Sequence, residues 1–246
     1  MACDPEEEAL LLHLCSRKSF RAGNIFSAAG NQRGTRCDCS IYVDPASYGR
    51  ALSATVLLAR HGSHDEVGAV LSGRSEIALN AAGRAEAERL ADRLASAPLR
   101  AIHASPRRRT RETAEIVAAR HGLEVMLVDA LDEVDFGAWT GRSFDSLDGD
   151  PDWDRWNAER ATASTPGGET MAAAVARATA HIASLEGDGG MILCVSHCDI
   201  IRGVAAQVLG LGLDRLLAFD CAPGSLTTLA LAGGQGRIVT LNEVPQ

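Results

Sequence analysis

Short apolar runs and longer amphipathic stretches alternate along most of this chain of 246 residues. Two of the runs, 56–59 and 191–195, are almost continuously apolar, and polar residues that include a histidine follow each of them. A run of four to six apolar residues is typical of a strand that is buried on both faces of a sheet. We therefore expect a buried strand at each of these two places.

Helical spacing of apolar residues is clearest over 81–94, where Asn80 precedes the stretch and can cap it. A second helix is predicted to begin at Ser105-Pro106, because proline is tolerated in a first turn. The remaining predicted helices span 170–185 and 199–209.

Weaker apolar segments complete the pattern. Strands are predicted over 100–104 and 124–128, and edge strands over 226–231 and 238–241. Alternation of strands with helices predicts an α/β fold, namely a three-layer α/β/α sandwich with a mostly parallel central sheet. We assign this domain to residues 51–246.

Residues 1–50 differ from the rest because they show no sustained period and contain four of the seven cysteines. Such a segment lacks the repeated apolar positions that a packed element needs. We expect a poorly ordered N-terminal extension with no functional residue in it.

Composition narrows the classes of partner. The formal net charge is −8, and no lysine occurs from Ser53 onward, so arginine supplies the fixed cations of the domain. An acidic chain does not favour nucleic acid or an anionic membrane as partner. The seven cysteines are odd in number, and their spacing fits no zinc pattern. No apolar run is long enough to span a membrane, and the acidic start is unlike a secretion signal. We expect a cytoplasmic protein with reduced thiols.

Residues with possible catalytic roles come directly after the two buried runs. Arg60, His61 and Gly62 end the first run, and His197 ends the second. Ligands of open α/β sheets bind beyond the carboxyl ends of the strands. Arginine there matches a phosphate or carboxylate, glycine allows close approach of the backbone, and histidine can act as nucleophile or base.

A cluster of four arginines, Arg107 to Arg111, lies at the start of the second predicted helix. Some of these charges belong on a solvated face, where Arg111 can pair with Glu115. A helix start behind a strand is also an anion site, so we expect one of the four to be functional. A carboxylate-rich segment at 131–142 supplies candidate acids. Two histidines, several arginines and a carboxylate suit phosphoryl transfer through a phosphohistidine.

These motifs resemble the histidine phosphatase superfamily, also called the phosphoglycerate mutase-like family, over residues 55–241. The resemblance implies that His61 is the nucleophile and Arg60 a phosphate ligand, from the Arg-His-Gly triplet. It selects Arg109 from the pattern that begins at Ser105-Pro106 and ends at Thr113-Ala114. The Phe-Gly-x-Trp-x-Gly context implies that Glu133 is the proton donor, and Val195-Ser196-His197 implies that His197 is a phosphate ligand.

The sequence departs from the family near the first histidine. Members often carry Glu-Thr after Arg-His-Gly, where this chain has Ser63 and His64, so His64 is a candidate substrate contact. Arg74 either binds substrate, as a Gly-Arg pair does in members, or is a loop arginine held by Asp65 or Glu66. Cys198 follows the second histidine, where other branches have a catalytic Asp, and this favours Glu133 over Asp199 as the acid.

The resemblance implies a phosphomonoesterase that needs no metal and no cofactor and acts on a small phosphorylated substrate. A phosphoglycerate mutase is the alternative enzyme, but the compact segment 137–196 lacks the longer insertion of mutases and favours hydrolysis. A phosphate-binding regulatory module needs neither His61 nor Glu133, so their presence argues against it. The sequence leaves the substrate open, with specificity expected from 63–79 and 145–168. It is also compatible with a homodimer.

Overall fold

The computed structural model describes residues 53–246, which form an α/β fold around one mixed sheet. Its strands are β1 (Ala54–Arg60), β2 (Leu99–Ala104), β3 (Val125–Leu127), β4 (Gly190–Ser196), β5 (Leu226–Ala232) and β6 (Gln235–Glu243). The order across the sheet is β3-β2-β4-β1-β5-β6. The predicted extension, 1–50, lies outside the described residues.

The sheet has a parallel part and an antiparallel edge. Strands β3, β2, β4 and β1 are parallel neighbours, whereas β5 runs antiparallel to β1 and β6 antiparallel to β5. This confirms the predicted α/β class with a mostly parallel sheet.

Helices cover both faces of the sheet. They are α1 (Ala81–Leu94), α2 (Arg108–His121), α3 (Phe144–Leu147), α4 (Pro151–Ala158), α5 (Met171–Ser184) and α6 (Cys198–Val208). Leu57 packs in a cluster with α1 and α2, while its neighbour Val56 packs in a second cluster with α5 and α6. Because successive side chains of a strand point to opposite faces, burial on both sides explains the continuous apolar runs.

The second predicted helix begins later than the sequence indicates. Helix α2 starts at Arg108, so Ser105 and Pro106 lie before it. The Ser105 hydroxyl does not cap the helix, because it lies 2.7 Å from His197 Nε2 and donates to Asp132 Oδ1 at 3.1 Å. The serine of this motif therefore belongs to the site.

Between residues 53 and 246, none of the helices is both long and apolar enough to cross a bilayer.

Candidate active site

The two histidines of the sequence motifs meet at one edge of the sheet. Strands β1 and β4 are parallel neighbours, with Arg60 in register with Ser196. The backbone N–H of His61 donates to the Ser196 carbonyl at 3.1 Å. The rings of His61 and His197 consequently lie with their centroids 5.3 Å apart. Pairing of the two strands thus brings together two histidines that lie far apart along the chain.

Two glycines allow the backbone after β1 to touch helix α1. A Cβ atom on Gly62 would lie 2.3 Å from the carbonyl oxygen of Gly83, and one on Gly83 would lie 2.0 Å from that of Ser63. The Gly62 N–H also donates to Thr113 Oγ1 of α2 at 3.1 Å. The loop that carries His61 is therefore held between two helices without room for a side chain.

His61 presents one nitrogen as a nucleophile. Its Nδ1 lies 2.8 Å from the carbonyl oxygen of Gly62, which can only accept, so Nδ1 carries the proton. The lone pair is then on Nε2. Burial and the nearby guanidinium groups of Arg109 and Arg60 hold the pKa of His61 well below its usual value. The imidazole is therefore neutral at physiological pH.

Arg109 connects the two histidines. Its Nε lies 3.2 Å from His61 Nε2, and its Nη2 lies 3.0 Å from His197 Nδ1. The guanidinium also donates to the carbonyl groups of Gly73 and Ser75, at 2.6 and 3.0 Å. These bonds hold a buried cation beside the nucleophile, where it can stabilise phosphoryl oxygens.

The other three arginines of the cluster pair with carboxylates, and Arg108 and Arg111 lie on the more exposed face of the helix. The pairs are Arg107 with Glu76 and Asp132, Arg108 with Glu112, and Arg111 with Glu76. The i,i+4 pair that forms is Arg108 with Glu112, not the predicted Arg111 with Glu115. Arg109 is the member of this cluster that lines the cavity.

His197 is fully buried and accepts a hydrogen bond from Arg109, so Nδ1 is its acceptor nitrogen. Its Nε2 then donates to Ser105 Oγ, which in turn donates to Asp132 Oδ1. The cavity-lining residues of the described chain do not include His197. In this structure His197 contacts Arg109, and its direct contact with phosphate stays a prediction.

Arg60 and His64 lie on the cavity wall near His61. The Nη1 of Arg60 donates to the Cys221 carbonyl at 2.6 Å. The other N–H groups of this guanidinium can donate to a ligand. The ring of His64 lies 5.3 Å from that of His61, and its Nδ1 has no hydrogen-bond partner within residues 53–246. Burial, with the charge of Arg109, lowers the pKa of His64 to about 4. It therefore offers a neutral contact.

Glu133 lines the same cavity and has the properties of an acid. Its Oε1 accepts from the Val134 N–H at 3.0 Å, and its Oε2 lies 3.9 Å from His197 Nδ1. Burial, with the nearby charge of Asp199, raises the pKa of Glu133 to about 8. The carboxyl group therefore carries a proton at neutral pH.

The rival carboxylates of this segment have other roles. Asp132 accepts from Ser105 and from the backbone N–H of Glu133, and Asp135 accepts from the backbone N–H of Gly137. Within the described chain, neither of them is among the residues that line the cavity. Asp199 does line it and remains the alternative acid.

Arg74 lies against the loop that carries Glu133 and, within the described chain, is not among the residues that line the cavity, so its contact with substrate stays a prediction. Its Nε donates to the backbone carbonyl of Glu133 at 2.9 Å, and its Nη2 pairs with Glu169 at 2.8 Å. Arg177 donates to the same carbonyl at 2.9 Å and pairs with Glu169 at 2.7 Å. Asp135 also pairs with Arg74, whereas the sequence reading placed Asp65 or Glu66 there. Two arginines thus clamp the loop that carries Glu133.

The cavity has a volume of about 480 Å³ and combines charge with an aromatic wall. Sequence reasoning placed specificity in 63–79 and 145–168, and both segments line the cavity. It missed individual residues, namely Phe136, Phe144, Trp153, Trp156, Asn157, Arg160 and Arg202. Positions 153, 156, 157 and 160 repeat at helical spacing, and this period was the signal that could have identified them.

One cluster of metal-ligand type exists within the described chain, and it lies apart from the cavity lining. Ligand atoms of His103, His181 and Cys194 lie within 4.8 Å of one another. Burial raises the pKa of the Cys194 thiol to about 12. None of the three residues is among those that line the cavity.

Comparison with known proteins agrees with this geometry. The model of the histidine phosphatase superfamily (branch 1) matches residues 56–244. The chain belongs to this superfamily. The match confirms the resemblance drawn from the motifs, including its extent.

Curated relatives of this histidine phosphatase domain carry phosphatase and mutase names. Phosphoserine phosphatase 1 of Hydrogenobacter thermophilus is 28% identical over 168 residues, covering 67% of this chain and 80% of the relative. A probable phosphoglycerate mutase of Salmonella choleraesuis is 32% identical over 161 residues, covering 63% and 75%. These relatives and the family place the chain among enzymes of the phosphatase and mutase type.

Solved structures show the same fold. A mycobacterial glucosyl-3-phosphoglycerate phosphatase superposes with a TM-score of 0.68 at 26% identity, covering 77% of this chain and 98% of that one. Bacillus stearothermophilus YhfR superposes with a TM-score of 0.73 at 27% identity, covering 78% and 98%.

The contacts of Arg109 lead to a prediction. Arg109→Ala is expected to lower kcat by about 10²- to 10³-fold, because it removes charge stabilisation beside the phosphoryl group. Arg109→Lys should not restore the rate, since an ammonium cannot reach His61, His197 and two carbonyls at once. Steady-state kinetics on nitrophenyl phosphate measure the loss.

Arg108→Ala is the matched control, because this neighbour is half exposed and pairs with Glu112. Thermal unfolding of each variant separates loss of charge from loss of fold. An Arg109→Ala protein that folds and keeps its rate would contradict the role of Arg109.

Proposed function

We propose that the protein is a phosphomonoester hydrolase that works through a covalent phosphohistidine on His61, with Glu133 as general acid and no metal. One observation carries the proposal. A neutral imidazole and a protonated carboxyl group face the same cavity, with Arg60 and Arg109 beside them. Attack on a phosphate ester requires both of these states, because the nucleophile needs a free lone pair and the leaving group needs a proton.

In the first half-reaction His61 Nε2 attacks phosphorus and forms a P–N bond. The bond from phosphorus to the ester oxygen breaks, and Glu133 gives its proton to the departing alkoxide. Arg60 and Arg109 stabilise the charge on the phosphoryl oxygens, and the Nδ1 bond to the Gly62 carbonyl supports the imidazole as it becomes cationic.

In the second half-reaction water attacks the phosphohistidine. Glu133, now a carboxylate, accepts the proton of the water, the oxygen bonds to phosphorus, and the P–N bond breaks. Inorganic phosphate leaves, while His61 returns to its neutral state and Glu133 is protonated again. A mutase would pass the phosphoryl group to a second hydroxyl of a substrate instead of to water.

A panel of small phosphate monoesters, assayed with excess chelator, tests the proposed function. We expect release of inorganic phosphate that chelator does not change. Transfer of the phosphoryl group to an alcohol without release of phosphate would indicate a mutase. Absence of either reaction on every member of the panel would contradict the proposal, and binding of phosphate without turnover would indicate a regulatory module.

A further inference from the structure

Two histidines and a cysteine that the proposed chemistry does not use lie together in the core. His103 on β2 and Cys194 on β4 are partners in the register of these neighbouring parallel strands. His181 lies in the last turn of α5, and apolar residues of α5 belong to the same core cluster as Cys194. The three positions are far apart along the chain, so no motif spacing indicates them.

The distances between the three side chains are close to those of a coordinated ion. Their ligand atoms lie within 4.8 Å of one another, and His103 Nδ1 lies 3.1 Å from His181 Nε2. Tetrahedral zinc, with bonds of about 2.0–2.1 Å to nitrogen and about 2.3 Å to sulfur, needs about 3.4 Å between two nitrogens and about 3.6 Å between nitrogen and sulfur. Shifts of about 1 Å or less therefore convert the observed cluster into a coordination sphere.

The contact between the two rings already directs two nitrogens at each other. In such a hydrogen bond one nitrogen carries the proton and the other offers its lone pair. A neutral imidazole can move its proton to its other nitrogen, and both rings then present a lone pair to an ion. The thiol of Cys194 supplies a third ligand once its proton has left.

The chemistry of these ligands selects the kind of ion. A thiolate with two imidazoles suits Zn²⁺, whereas Mg²⁺ and Ca²⁺ prefer oxygen ligands. Zn²⁺ accepts three protein ligands and a water molecule. His103 and Cys194 are buried, at 6% and 0% exposure, but His181 is half-buried, so solvent can reach one side of the cluster. An ion and its water ligand can enter from this side.

We propose that His103, His181 and Cys194 bind a thiophilic divalent ion of the Zn²⁺ type, at a site separate from the catalytic cavity. Binding exchanges the thiol proton for the ion. The ion connects β2, β4 and α5, which only the folded chain brings together, so it stabilises the folded state. None of the three ligands lines the cavity, so release of phosphate should not require the ion.

Co²⁺ serves as a spectroscopic probe of the site. The full chain, freed of metal by a chelator, is titrated with Co²⁺. We expect one ion per chain to produce a charge-transfer band from thiolate to cobalt and the strong visible bands of a tetrahedral ion. Zn²⁺ should remove these bands, and excess Mg²⁺ should not. Zn²⁺ at about 100 times its dissociation constant should raise the midpoint of thermal unfolding by about 5–10 °C.

Variants assign the ion to the three residues. Cys194→Ala should abolish the charge-transfer band. His181→Gln should weaken Co²⁺ binding by about 100-fold or more, since loss of a ligand costs more than loss of a residue that supports one. It lies at a half-buried position and tests the site even if Cys194→Ala fails to fold. His121→Gln is the matched control, because His121 is also half-buried and lies in the last turn of α2, and it should keep the affinity.

The four cysteines of residues 1–50 are the alternative thiol ligands, so a protein in which all four are replaced by alanine is titrated as well. It should keep the charge-transfer band. A band lost in this protein but retained in Cys194→Ala, an affinity that His181→Gln leaves unchanged, or binding without a thiolate band would overturn the site. Absorption and thermal unfolding do not depend on turnover, so the result stands apart from the proposed function.

Discussion

His61→Ala is expected to lower kcat by roughly 10⁴- to 10⁶-fold, the scale on which removal of a nucleophile acts. The variant loses the Nε2 lone pair that forms the bond to phosphorus, and among residues 53–246 no other imidazole occupies that position. His64 lines the same cavity, but its ring centre lies 5.3 Å away. Steady-state assays on nitrophenyl phosphate measure the loss.

His121→Ala is the control for this substitution, because His121 lies in the last turn of α2 and not in the cavity lining. It should keep the rate of the unaltered protein. If His61→Ala protein with native thermal stability retains more than a few per cent of kcat, His61 is not the nucleophile.

Glu133→Gln is expected to lower kcat/KM by about 10²- to 10⁴-fold on an alkyl phosphate and much less on nitrophenyl phosphate. An alkoxide needs a proton to depart, whereas nitrophenolate does not. The parameter kcat/KM reports the steps up to departure of the leaving group, so it isolates the acid role from the later role as base.

The pH profile gives a second readout of Glu133. The carboxyl group is protonated below its pKa of about 8 and loses the proton above it. For the alkyl phosphate, kcat/KM should therefore fall above pH of about 8, and this alkaline limb should be absent in Glu133→Gln.

Asp135→Asn and Asp199→Asn distinguish Glu133 from its rivals. Asp135 lies outside the cavity lining and should behave like the unaltered protein. If Asp199→Asn lowers kcat/KM much more on the alkyl phosphate than on nitrophenyl phosphate, and Glu133→Gln does not, the acid is Asp199.

The sequence predicts the parts of this molecule that depend on local pattern. Continuous apolar runs identify β1 and β4, because burial on both faces leaves no polar position within them. Their carboxyl ends carry His61 and His197, and pairing of neighbouring parallel strands brings the two together. Asn80 caps α1 through the Gly83 N–H, as the sequence indicates.

The sequence does not predict contacts between distant segments. The serine before α2 was read as part of a helix start, but it binds Asp132, 27 residues later. Arg74 was weighed as a substrate contact, and its partner Glu169 lies 95 residues away. The sequence gives no indication that Arg202 lines the cavity, because only the tertiary fold brings it there. Contacts between residues this far apart leave no pattern in the local sequence.

Trapping of the phosphoenzyme tests the central claim most directly. Glu133→Gln protein is mixed with nitrophenyl phosphate, because this leaving group needs no acid while hydrolysis of the intermediate lacks its base. We expect a burst of nitrophenol equal to the enzyme concentration. After a rapid alkaline quench, which avoids acid cleavage of P–N bonds, mass spectrometry of the peptides should place one phosphoryl group on His61. Phosphate on another residue, or turnover with neither burst nor phosphorylated peptide, would contradict a phosphohistidine mechanism.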